Sequence, residues 1–184
     1  MTQAESARLL QNLIRVGTVI QVDYVQYVAR VQAGGNKTDW IRWGAQRAGD
    51  AQTWWAPAVG EQVVILSPGG DLENAFIAFS LYGADALPPD TSQTSHVTRY
   101  PDGAKVSYDP ASGMRSVTGI QNALVDASGT LTLNLSRLIM NVGETVINGE
   151  VIHGGGIMSS NGVVVHTHVH SGVQSGPGKS GGPQ

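Results

Sequence analysis

Thr130-Leu-Thr-Leu-Asn-Leu-Ser136 alternates apolar and polar residues without a break, so an extended chain puts Leu131, Leu133 and Leu135 on one face. Arg137 to Val142, Thr145 to Asn148 and Gly162 to Val165 repeat the extended character, each interrupted by Gly or Asn. Nothing nearby in the chain covers that apolar face. All eleven aromatic residues lie at or before Tyr108, while the 76 residues from Asp109 onward hold 14 of the 24 glycines. Ordinary cores rely on aromatics for much of their buried area. The second half is therefore thin, and its strands need neighbours. No repeat of fixed length is present, which disfavours a regular solenoid; a symmetric oligomer wound about a common axis buries the face instead.

Upstream of this half, Leu87-Pro-Pro-Asp90 and the polar run to Ser95 read as a linker over residues 84–95. After it, Thr98 to Tyr108 reads as a hairpin turned at Asp102-Gly103. Before it, Thr18–Asp23, Tyr24–Val31, Asp39–Trp43, Gln62–Leu66 and Ala75–Tyr82 carry β-branched and aromatic residues between glycine breaks. Five short strands over residues 17–83 fit a small closed barrel of the oligonucleotide/oligosaccharide-binding (OB) type. The first segment, residues 1–16, is expected to be a helix running to Val16. Thr2 and Glu5 have capping-box spacing, Leu9, Leu10, Leu13 and Ile14 make an apolar stripe, and Gly17 stands where a C-cap belongs.

Composition removes several function classes. Only 14% of residues are charged and the net charge is −3, with Lys+Arg at 11 against Asp+Glu at 14, so binding that neutralises nucleic-acid phosphates is not expected. No apolar run reaches membrane-spanning length, and no basic region followed by an apolar run suggests a signal peptide. Without cysteine, disulfides and thiolate metal sites are excluded, leaving His or carboxylate as ligands.

His166-Thr-His-Val-His170 is the most specific cluster. In a strand, His166, His168 and His170 share a face, with Thr167 and Val169 opposite. One chain supplies an incomplete ligand shell. Three chains giving two imidazoles each would supply six nitrogens, an octahedral set that favours iron or nickel over zinc. A solvent-exposed His tract is the plainer reading of these residues alone. His96 and His153 are isolated and read as structural.

Thr167-His-Val-His-Ser-Gly-Val-Gln174 and the Gly/Ser/Pro tail to Gln184 resemble the tip of phage baseplate assembly protein V, the central spike family of contractile-tailed phages and pyocins. Ala48 to Val64, with Ser67-Pro-Gly-Gly-Asp71 and Ala75 to Leu81, is similar to that family's OB domain. The resemblance implies a mainly β homotrimer: N-terminal helix, OB barrel, an intertwined triple-stranded β-helix shaft over 96–165, and a metal-binding tip over 166–184. It also implies one iron per trimer with six His ligands, nickel or zinc ranking behind it. By register the ligands are His168 and His170, with His166 as a possible further ligand. The implied partners are the baseplate hub and tail tube proteins, with transient contact to the host outer membrane and no nucleic acid. The implied location is the tail tip of a virion assembled in host cytoplasm.

Trp40, Trp43, Trp54 and Trp55 crowd into sixteen residues of the barrel. Four basic residues in 17–83 (Arg30, Lys37, Arg42, Arg47) face six acidic ones, which favours core and subunit contacts for these rings over a ligand platform. A carbohydrate-binding OB module with a disordered His-rich tail is the alternative function. Ser159 and Ser160 follow Gly154-Gly-Gly156, but no Gly-x-Ser-x-Gly elbow or carboxylate pair accompanies them, so no enzyme is expected.

Overall fold

Thr2 opens the first element as its sequence suggests: its hydroxyl accepts the Glu5 N–H at 3.2 Å and caps helix α1, Gln3–Asn12. The computed structural model describes residues 2–169 together with Gly172 and Gly176. The chain divides into two units, Met1–Val125 and Asp126–Gln184.

The helix ends four residues earlier than expected. Ile14 to Val16 belong to strand β1, Ile14–Asp23, which pairs antiparallel with β5, Gln62–Leu66, from Ile14↔Leu66 to Thr18↔Gln62. Gly17 is thus no helix cap. It lies inside β1, where a Cβ would stand 2.6 Å from both Val31 Cγ1 and the Gln32 carbonyl oxygen. Gly17→Ala should therefore cost the barrel about 1–3 kcal/mol, as overpacking does. Urea unfolding of the full chain measures this; an unchanged midpoint would contradict the close approach.

The remaining barrel strands are β2, Val28–Ala33, the short β3, Asn36–Lys37, β4, Ile41–Trp43, and β6, Phe76–Leu81. β1 pairs with β2 and β5, β5 with β6, β6 runs parallel to β4, and β4 returns antiparallel to β2, closing a five-stranded ring. β3 extends the β2 hairpin outside that ring. Strict alternation along β2 buries Ala29, Val31 and Ala33, which meet Val19, Val63, Ile65 and Ile77 in the core. The expected strand Tyr24–Val31 is shortened, because Asp23 Oδ1 accepts the Val25 and Gln26 N–H groups at 2.9 Å and turns the chain.

After the barrel, β7, His96–Arg99, and β8, Lys105–Asp109, form the expected hairpin, and β9, Met114–Thr118, adds a third antiparallel strand. The preceding polar segment is tied down. Asp90 accepts from the Thr91 and Ser92 amides and from the Ser95 hydroxyl, and Thr94 Oγ1 donates to Asp109 at 2.7 Å. Ser95's hydroxyl chiefly holds the Asp90 carboxyl below its ordinary pKa, and Thr94's chiefly holds Asp109 down. Depressed carboxyls favour the tied state above the ordinary carboxylate pKa and lose that effect as pH falls through their folded values. NMR titration should move the Thr91, Ser92 and Ala111 amides with midpoints below about 3.9, the unperturbed Asp value. Midpoints at or above it would contradict the tether.

In the second unit, residues 126–158 form no hydrogen-bonded strand. The alternating stretch is present in sequence, yet Leu131 is 64% exposed and Leu133 and Leu135 are each 59% exposed. A single chain offers these residues no neighbour. The first ladder in this unit is β10, Ser159–Ser160, with β11, Val163–Val164.

Candidate functional site

Asn161 and Gly162 connect β10 to β11 with φ of 49° and 82°, the left-handed pair that a two-residue Asn-Gly hairpin turn requires. The Val165 N–H closes the hairpin on the Met158 carbonyl at 2.8 Å. This tight reversal delivers the histidines. The expected strand through His166–His170 does not continue, because Val165–Thr167 turns and the Thr167 N–H bonds the Val164 carbonyl at 3.3 Å. His166 therefore sits in a turn, and strand alternation does not relate it to His168.

His168 follows that turn, with its Nδ1 2.7 Å from the Val165 carbonyl oxygen. A carbonyl accepts only, so Nδ1 is the donor in this contact. Metal-binding imidazoles are commonly oriented in this way, through the N–H opposite the ligating nitrogen. His170 lies outside the described residues. Among the described residues, no three His, Cys, Asp or Glu side chains of one chain come together as a metal site. His96 stands in β7, and His153 lies in the irregular stretch before β10.

The tryptophans divide between core and surface. Trp43 alone packs partly against the barrel interior. Trp54 and Trp55, in the loop after β4, are 61% and 70% exposed. Trp54 meets Tyr27 and Trp43 edge-on at centroid distances of 5.7 and 5.6 Å, and Trp55 lies parallel to Tyr100 at 6.3 Å. Arg30 sits 5.8 Å over Trp40. The core reading thus holds in part for Trp43, while Trp40, Trp54 and Trp55 stand exposed and are corrected. Sequence reasoning did not foresee the Trp55–Tyr100 stack, which joins residues far apart in the chain. It also passed over the Asn161-Gly162 hairpin, although that dipeptide is a strong local signal.

Comparisons with known proteins bear on both ends of the chain. Residues 15–82 match the family described as the type VI secretion system/phage-baseplate injector OB domain, coincident with the closed barrel. Residues 162–184 match the GpV Apex motif, starting at the hairpin glycine that precedes the histidines. The spike protein of Escherichia phage P2 is 39% identical over an alignment 203 positions long, covering 97% of this chain and 93% of that protein. With a relative of that identity along nearly its whole length, and both ends matching, the chain belongs to the phage baseplate spike family and is the central spike of a phage tail.

Proposed function

We propose that three copies of the chain assemble into a rigid spike that pierces the host outer membrane when the tail contracts. One observation carries this reading: Val164 apart, the large apolar side chains from Leu131 to Val165 stand at about half exposure or more in the single chain, Val146 at 69% and Ile152 at 82% among them. Monomers rarely expose contiguous apolar surface on that scale. Winding three chains about a threefold axis buries these faces and makes residues 96–165 a narrow shaft. Aromatic rings are absent from its greater part, which keeps the cross-section small. The work is mechanical, and no side chain need act as a catalyst.

Residues 166–184 form the tip in this reading. His168 and His170 of each chain would hold one iron ion. The fit rests on donor chemistry: imidazole suits iron, and the Val165 carbonyl holds the His168 ring through Nδ1. The ion supplies a cross-link between chains. With His166 held in the turn that ends the hairpin, the pair after the turn is the better candidate. The barrel end faces the baseplate hub and tail tube, the tip meets the outer membrane, and nucleic acid has no part. Assembly would take place in the host cytoplasm. Elemental analysis of the purified protein tests the tip directly, with one iron per three chains expected. Absence of bound metal would refute the tip assignment.

A further inference from the structure

The meander of β7, β8 and β9 has two open edges, since β7 and β9 each pair only with β8 among the described residues. Its register sorts the side chains into two unlike faces. One face, polar in the main, carries Arg99, Lys105, Ser107, Asp109, Ser116 and Thr118 together with Val97 and Met114. Its middle is hydrogen-bonded: the Ser107 and Ser116 hydroxyls pair at 2.8 Å, and Asp109 accepts from Thr94. The other carries Thr98, Val106, Tyr108 and Val117, with Tyr108 and Val117 each 48% exposed. His96 and Arg115 flank Tyr108 in the end row of that face, where long side chains can reach solvent.

A sheet with two open edges is a template for strand addition, and the Val106 and Val117 centre of this face is only partly covered. We propose that β9 of one copy pairs in parallel with β7 of the next, so that three meanders close into a nine-stranded collar with the Val106 and Val117 face inward. This rests on the homotrimer proposed above. β7 and β9 run in the same direction because each is antiparallel to β8. Pairing them is therefore a head-to-tail contact, which closes about a threefold axis. Closure removes both edges at once. A twofold pairing of β7 with β7, or β9 with β9, would leave the other edge open.

The absence of cysteine makes the test clean. Within one chain Thr98 and Val117 are separated by β8, about 9–10 Å apart at ordinary strand spacing. A disulfide spans no more than about 7 Å between Cα atoms, so a bond between these strands must join different chains. Four double variants combine His96→Cys or Thr98→Cys with Arg115→Cys or Val117→Cys. They would be oxidised with a copper–phenanthroline reagent and run on denaturing gels without reductant. At least one should give a covalent trimer that reductant reverses, while the single variants stay monomeric on the gel. If none cross-links while sedimentation still gives a trimer, the collar is overturned and the trimer stands. If sedimentation gives a monomer, the reading beneath the collar falls, and the collar with it.

Discussion

Leu133→Asp is expected to abolish assembly of the shaft, shifting the full chain from trimer to unassembled protein in sedimentation. Leu133 is the middle of three leucines sharing one face and is 59% exposed in the single chain, so its burial depends on neighbouring copies. Burying a leucine contributes about 1.5–3 kcal/mol, and threefold symmetry removes that contribution three times over. The substitution also brings three carboxylates together in a poorly solvated place, where unpaired charge is strongly disfavoured. Leu133→Ile keeps the volume and should stay assembled, at a cost below about 1.5 kcal/mol per site. A trimeric Leu133→Asp protein would show that this face is not the packed one. The barrel has its own core of Val19, Val31, Val63 and Ile65, so its secondary structure should persist in the variant.

The second large effect is at the tip. His168→Ala and His170→Ala each remove three of the six proposed ligands, and either change should empty the purified protein of iron. His166→Ala should leave iron in place if the turn at Val165–Thr167 keeps that ring away from the site. Mutating the tip should not dissociate the trimer, since the apolar shaft lies upstream. Protonated imidazole cannot ligate, so acid should release the ion from the wild-type protein as well. Full iron content in both alanine variants would remove His168 and His170 from the ligand set.

What could be read from the sequence depended on where each segment finds its partners. The barrel strands were legible because β-branched alternation and glycine breaks are local signals, and β2 alternates strictly. Ile14 to Val16 misled because three apolar-rich residues fit the end of a helical stripe as well as the start of a strand. The ladder with β5 decides between them, and that ladder is long-range. Met114-Arg-Ser-Val-Thr118 escaped notice because it alternates poorly and owes its strand to pairing with β8. Along Thr130–Ser136 the sequence pattern is clear, yet the single chain forms no ladder there. At the tip, spacing singled out the histidines. It did not reveal that Thr167 turns back on Val164 and separates His166 from His168.

Sedimentation equilibrium of the full chain at micromolar concentration tests the central claim most directly. The account predicts a single species of three times the chain mass, with no monomer at the lowest loading. A folded, monodisperse monomer would contradict it, because the apolar residues from Leu131 to Val165 would then have to remain in water.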